Sequence, residues 1–311
     1  MRIAVILLRW VMNFIYFFLK LFPTDKSKVL FLSRQSNTVT EDIDFLSRRL
    51  KELRPETNIV IITKRMDKGF ASVLEYSGAT LRSMYHLATA SVCVLDSYWP
   101  AVSVLHHKKQ LAVIQMWHAM GKIKKSGYQS LGKKFGRSDM IAREMRMHRN
   151  YDVVIAGGRA FNPFYCASFD IDPDILYNVG LPRMDKLREG QEEARRQFYE
   201  AYPWYIGKKI VLYAPTFRKG HTLDPKPLVD AFDFNGDQIL VVKRHPNQLL
   251  NYASLAPAVT CHRVPTSTVL SVCDCVITDY SAITIEAALL GKPVYFYLFD
   301  YEDYLDHNGL N

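Results

Sequence analysis

Several familiar signatures are missing from this 311-residue sequence. Neither half contains G-x-G-x-x-G or the P-loop pattern, which weighs against a dinucleotide-dependent dehydrogenase and against an ATPase. The cysteines, Cys93, Cys166, Cys261, Cys273 and Cys275, are odd in number and lack metal-site spacing, so they read as reduced, mostly buried thiols of a cytosolic domain. No internal repeat or low-complexity tract interrupts the chain. Acidic residues are in short supply, 31 against 40 Lys and Arg, and the net charge of +9 points to an anionic partner: a phosphorylated substrate, a membrane surface or a nucleic acid. A 49% apolar share with 13% aromatics excludes disorder, and the length suits two domains of ordinary size.

The most hydrophobic stretch is Ile3 to Phe22, about as long as a membrane span. Its polar residues are not scattered. At about 100° per residue, Arg2, Arg9, Asn13, Tyr16 and Lys20 fall within an arc of roughly 60°. A spanning helix would place Arg9 and Asn13 at an expensive depth. An in-plane helix would keep that stripe wet and sink the other face into acyl chains, which is the reading adopted for residues 1–23; a true span and a buried core helix are the alternatives. No small-residue cleavage site precedes Pro23, so a cleaved signal peptide is not expected. Pro23 and the polar run Thr24 to Lys28 read as a helix stop and linker.

From Lys28 the pattern alternates. Strands are expected at Val29–Leu32, Asn58–Thr63, Ser91–Leu95, Gln110–Met116 and Val153–Ala156, the last closing a first lobe over 24–178. Helices are expected at Ile43–Leu53, Phe70–Tyr76 and around Pro163–Phe169. A second lobe, 179–311, reads as strands Ile210–Tyr213, Gln238–Val242, Cys275–Ile277 and Val294–Tyr297, with helices Glu192–Ala201 and Ser281–Leu290. The βαβα order implies parallel sheets covered on both faces. Two Rossmann-like α/β lobes with a central cleft, preceded by an amphipathic membrane helix, describe the GT-B-like architecture.

Three polar phrases each follow an apolar strand, where open α/β sheets bind ligands. In Trp117-His118-Ala119-Met120-Gly121-Lys122, a neutral His118 suits removal of a proton from a hydroxyl, with Gly121, Lys122 and Lys124 as acceptor or phosphate contacts. A structural His packed on Trp117 is the other reading. In Lys243-Arg244-His245-Pro246, Pro246 forces a turn, and Arg244 and His245 would donate to phosphate oxygens; an ordinary solvated loop is the alternative. Thr278-Asp279-Tyr280-Ser281 leads into a helix start, an arrangement for an anion, although Asp279 or Ser281 could merely cap the helix. Glu286, further along that helix, is placed to reach a ribose or base. Thr216 and Arg218 close another strand exit, and Gly180-Leu181-Pro182-Arg183-Met184-Asp185 marks the second lobe's entry, both readable as turn chemistry. The basic run from Lys122 to Arg149 lacks RNA-module aromatics or a recognition helix, so phosphate-rich substrate or anionic lipid is preferred to nucleic acid.

Together these phrases resemble the CDP-glycerol glycerophosphotransferases of teichoic acid synthesis. The likeness runs from about Leu30 to the end and is carried by Gln115-Met116-Trp117-His118, Gly180 to Asp185, Leu212 to Arg218, Arg244-His245-Pro246, Thr278 to Ser281, and Lys292 to Tyr297 with Asp300 and Tyr304. It implies a GT-B fold, a membrane-associated bacterial cell-wall enzyme at the cytoplasmic face, a CDP-glycerol or similar CDP-polyol donor and a lipid-linked saccharide acceptor. No cofactor and no metal ligand is assigned among the residues, and metal dependence is not readable from the sequence. The resemblance further implies that His118 is the base, that His245 and Arg244 stabilise the donor pyrophosphate or leaving CMP, that Thr278, Tyr280 and Ser281 cradle the phosphates, and that Thr216 and Arg218 line the same cleft. Ala119-Met120-Gly121, where polymerase-type members have Gly-Thr-Pro, together with His148-Arg149-Asn150-Tyr151, looks closer to the primase branch and to a single transfer. Relatives usually continue beyond Tyr304 with further helix. A UDP-sugar transferase or epimerase and a non-catalytic membrane scaffold are the competing readings.

Overall fold

The computed structural model describes all residues except 1, 68, 134, 135, 219, 235, 246, 247 and 308. Pro246, invoked above, and Lys134, within the basic run, thus lie outside the described residues. The chain divides into two compact units, unit 1 comprising residues 1–183, 304–309 and 311, and unit 2 residues 184–303 and 310.

Unit 1 contains α1 (Arg2–Leu19), β1 (Asp25–Ser33), α2 (Glu41–Leu53), β2 (Asn58–Thr63), α3 (Phe70–Thr89), β3 (Ala90–Leu95), α4 (Pro100–Val104), β4 (Ala112–Gln115), α5 (Asp139–Glu144), β5 (Val153–Ile155), α6 (Asn162–Phe169) and β6 (Leu176–Tyr177). Its six strands are ordered β2-β1-β3-β4-β5-β6, with every pairing parallel. Central strands of such a sheet are covered on both faces, so they are apolar runs rather than alternating ones: Leu30, Phe31 and Leu32 of β1 are wholly buried, as is Leu95 of β3. The order reverses between β1 and β3, making their carboxyl ends the switch point.

Unit 2 begins within α7 (Pro182–Glu189) and continues through α8 (Gln191–Ala201), β7 (Lys209–Tyr213), β8 (Thr222–Leu223), α9 (Lys226–Ala231), β9 (Gln238–Val242), β10 (Leu249–Leu250), α10 (Thr266–Val272), β11 (Cys275–Thr278), α11 (Ile283–Leu289), β12 (Val294–Phe296) and the first residues of α12 (Tyr301–His307). A parallel four-stranded sheet, β12-β11-β7-β9, forms its centre, and β10 pairs β8 separately. Phe198, Ile210, Leu212, Val241, Leu270 and Val276 form the apolar centre of its core.

Five local expectations are corrected. Residues Asp25 to Lys28 are not linker but the start of β1, where Asp25 aligns with Ala90 of β3. Val153–Ile155 is not the last strand of its sheet, because the two-residue β6 adds beyond it. α3 does not stop at Tyr76: Ser77-Gly78 resembles a breaker, but burial of Tyr76, Met84 and Leu87 on one face carries the helix to Thr89. Pro182 to Asp185 is the first turn of a helix rather than a turn, with Pro at a position where its missing N–H costs nothing. The helix after Ser281 begins only at Ile283, without a side-chain cap.

The largest correction concerns α1. From Arg9 to Tyr16 its polar stripe is not wet but docked on the rest of unit 1, while Arg2 at its start stays exposed. Arg9 donates to the Glu144 carbonyl at 2.7 Å, Asn13 Nδ2 donates to the Val104 carbonyl at 2.9 Å while Asn13 Oδ1 accepts from the His106 N–H at 3.1 Å, and the Tyr16 hydroxyl lies 2.9 Å from His107 Nδ1. Met12 and Tyr16 are buried beneath the helix. The apolar arc therefore faces outward, with Trp10 71%, Phe14 67% and Phe17 59% exposed.

Candidate functional site

The switch point of unit 1 gathers three loops. Arg34 and Gln35 follow β1, Asp96, Ser97 and Tyr98 follow β3, and Trp117 and His118 follow β4. Trp117 has φ 61, a left-handed conformation rare for a bulky residue, and such strain persists only where surroundings enforce it. Here the enforcement is explicit. Buried Gln115 accepts from the Trp117 N–H at 2.9 Å through Oε1 and donates through Nε2 to Tyr151 Oη at 3.0 Å. Arg183 donates to the His118 carbonyl at 3.0 Å, the Tyr165 hydroxyl to the Ala119 carbonyl at 2.7 Å, and the Gly157 N–H to the Met120 carbonyl at 3.1 Å. A Cβ at residue 157 would stand 2.2 Å from that last carbonyl, so only glycine admits the approach. Arg183 is itself held by an ion pair to buried Asp42 of α2, whose Oδ1 also accepts the Arg183 N–H at 2.9 Å. This explains why residues 179–183 travel with unit 1.

His118 is half-buried, and its Nδ1 lies 3.0 Å from the Asp96 carbonyl. A carbonyl only accepts, so Nδ1 carries the proton and Nε2 keeps its lone pair. Gln35 Nε2 is also 3.0 Å from Nδ1, and rotation of its amide would present the oxygen instead. Burial pushes the His118 pKa down to about 4; the Asp96 carbonyl opposes this, while the charges of Lys122 and Arg183 add to it. The ring is therefore neutral throughout the physiological range. It lines a pocket of about 360 Å³.

Lys122 does not face that pocket as a phosphate ligand. It is buried, donating to Ser126 Oγ at 2.9 Å and Ser168 Oγ at 3.0 Å, with Trp117 and Phe169 ring centroids each 4.0 Å from Nζ. Burial pushes its pKa well down. Its ammonium end lies beneath Trp117, whose ring centroid is 4.2 Å from that of His118. Gly121 is buried beside it, and Lys124 is half-buried. Other basic residues of the run are dispersed: Arg143 pairs with Asp139 and Arg149 with Asp170.

In unit 2 the strand-end phrases form a second cluster. Arg218 bridges Asp279 (2.7 Å) and Asp300 (2.7 Å to Oδ1), and the Tyr280 hydroxyl donates to Asp300 at 3.3 Å. Burial alone would lower the Arg218 pKa; the two carboxylates raise it above the usual value. Asp279 also accepts the Thr216 N–H at 2.9 Å, and wholly buried Thr278 donates to the Ala214 carbonyl at 2.7 Å. The side chains of Thr278, Asp279 and Arg218 are thus occupied in bracing the loops, because a buried charge needs its partner close by. Ser281 is half-buried, its Oγ 3.4 Å from the Ile283 N–H, and Glu286 is half-buried in the first turn of α11. Arg244 donates to the Gln248 carbonyl at 2.7 Å, and exposed His245 lies with its ring 5.1 Å from Phe217.

Sequence reasoning missed Arg34 and Asp96, and it placed Arg137 only within the basic run. Asp96 directly follows a predicted strand and Arg34 lies one residue further from another, so both were findable by the rule that found His118. Arg137 follows no strand and reaches the pocket only through tertiary packing. Among the described residues, no group of His, Cys, Asp or Glu is arranged to hold a metal ion.

The architecture is that of two parallel-sheet α/β units, and comparison with known proteins gives the family and, with it, the transferase class. The family described as CDP-Glycerol:Poly(glycerophosphate) glycerophosphotransferase matches residues 14–311, and the chain belongs to it. It is 31% identical over 298 residues to the teichoic acid ribitol-phosphate primase of Bacillus spizizenii, covering 92% of this chain and 76% of that protein. It is 28% identical over 239 residues to the teichoic acid glycerol-phosphate primase of the same organism, covering 74% of this chain and 61% of that one. Among solved structures, the wall teichoic acid polymerase TagF shares the fold, with a TM-score of 0.68 and 18% identity over 97% of this chain and 78% of the other.

Proposed function

We propose that the protein transfers a polyol phosphate from a CDP-activated donor to a hydroxyl of a lipid-linked saccharide, as one addition of the primase type rather than repeated polymerisation. The observation that carries the reading is His118: a neutral imidazole, its tautomer fixed by the Asp96 carbonyl, on a loop clamped at three successive carbonyls. The acceptor hydroxyl loses its proton to Nε2 as its oxygen bonds to the donor's β-phosphorus. The bond from that phosphorus to the bridging oxygen breaks, and CMP leaves. Such chemistry asks the protein mainly for positioning and charge stabilisation. In unit 2, Arg244 and His245 serve the departing phosphate, and Ser281 with Tyr280 borders the nucleotide. The network of Arg218, Asp279 and Asp300 keeps those loops in place, with Thr216 and Thr278 fastening them to the sheet.

Membrane association at the cytoplasmic face belongs to the same reading. α1 is the one helix among the described residues long and apolar enough to span a bilayer, but its polar face is bonded to unit 1. It therefore lies in the interface plane with the outward apolar arc in the acyl region. The direct test is CMP release from CDP-ribitol and CDP-glycerol with a lipid-linked disaccharide in detergent micelles. Acceptor-dependent CMP from the wild type and none from His118→Ala is expected; CMP at the wild-type rate from His118→Ala would sink the base assignment.

A further inference from the structure

The pocket beside His118 carries more positive charge than a sugar hydroxyl requires. Arg34 enters from the end of β1 and Arg137 from the loop before α5, both against Tyr98, with Lys125 also on the wall. No Asp or Glu lines the pocket, and among the described residues neither arginine has a carboxylate partner. Arg34 spends NH1 on the Tyr98 carbonyl at 3.1 Å, while its Nε is buried and finds no acceptor. Each guanidinium is held against an aromatic face, Arg34 at 5.3 Å from the Tyr76 centroid and Arg137 at 4.8 Å from that of Tyr98. Burial lowers the Arg137 pKa, and repulsion from Arg34 lowers it further. Two like charges brought together without a counter-charge disfavour the empty pocket and favour one holding an anion.

We infer that this pocket is a phosphate subsite for the acceptor, in which Arg34 and Arg137 grip a phosphate or pyrophosphate group attached to the saccharide and so place its hydroxyl at His118. The inference rests on the proposed reaction for its substrate but not for its binding chemistry. Guanidinium groups pre-oriented on aromatic faces present paired N–H donors to phosphate oxygens. The volume of about 360 Å³ is within the ~300–1,000 Å³ range of ligand pockets. Arg34 and Arg137 are accordingly specificity residues: they distinguish a phosphate-bearing acceptor from a neutral saccharide.

Calorimetric titration of the full chain in detergent with inorganic pyrophosphate tests the site without any transfer. Arg137→Gln is the main variant, because Arg137 as a whole is open to solvent at the rim and only its guanidinium, laid on the Tyr98 ring, is desolvated, so its loss leaves the core intact. Arg49→Gln on the outer face of α2 removes the same charge elsewhere. Pyrophosphate affinity is expected to fall by about tenfold or more in Arg137→Gln, to recover in part in Arg137→Lys, and to be unchanged in Arg49→Gln. In the transfer assay, Arg137→Gln should raise KM for a lipid-linked saccharide that carries phosphate or pyrophosphate and leave KM for a phosphate-free saccharide and for the CDP-polyol unchanged. Equal pyrophosphate affinity in Arg137→Gln and wild type would overturn the site. A raised donor KM with an unchanged acceptor KM would overturn its assignment to the acceptor. Arg137-dependent pyrophosphate binding without CMP release from any CDP-polyol would uphold the subsite and refute the proposed reaction instead.

Discussion

Replacing Phe14 and Phe17 of α1 by Ser tests which face of that helix meets the bilayer. Both side chains point away from unit 1, 67% and 59% exposed. Full burial of a Phe side chain contributes about 1.5–3 kcal/mol. Scaled by the exposed fractions, the pair contributes about 2–4 kcal/mol to membrane partition. At 1.4 kcal/mol per tenfold, the double substitution should weaken partition by about 30-fold to several hundred-fold. The assay is co-sedimentation with vesicles containing anionic lipid across a range of lipid concentrations. Arg9→Met supplies the contrast, because Arg9 holds the helix to Glu144 and faces inward. It should lower the stability of unit 1 while changing partition far less. Partition of the double variant within threefold of wild type, or a larger loss in Arg9→Met, would refute the orientation.

Two further outcomes follow from the clamp around His118. Because its folded pKa lies near 4 rather than at the usual 6.5, the neutral base persists as pH falls through 6.5. The acid limb of kcat/KM should therefore lie near pH 4 to 5, and a limb centred at 6.5 would refute the protected environment. Arg183→Met strands the buried Asp42 carboxylate, so the loss of folding free energy in urea should approach about 3 kcal/mol, the low end for a broken buried pair, since the residue-183 N–H still donates to Asp42. Adding Asp42→Asn should restore most of the stability but not the transfer rate, because the His118 carbonyl has still lost its donor. Joint recovery of both would show that Arg183 serves stability alone.

Much of the parallel architecture was legible because β-branched runs such as Asn58–Thr63 and Gln238–Val242 stand alone between polar loops, and period and length suffice to read them. The placement of Trp117-His118, Arg244-His245 and Thr278 to Ser281 at strand ends was legible for the same reason. The two-residue β6 and the second half of α3 were not. A two-residue strand has no period, and α3 depends on burial of Met84 and Leu87 to outweigh Ser77-Gly78.

By itself the sequence determined the alternation of strands and helices, the gathering of α1's polar residues on one stripe, and the residue types available at each strand end, since these depend on local periodicity and on chemistry that no neighbour alters. Only the tertiary structure decided how those groups are used. It turned the stripe of α1 inward, sealed Lys122 under Trp117, bound Arg218 between two aspartates and left Arg34 and Arg137 without a counter-charge. The physical reason is that a charged side chain takes its role from what lies within a few ångströms of it, and those neighbours come from segments far away in sequence.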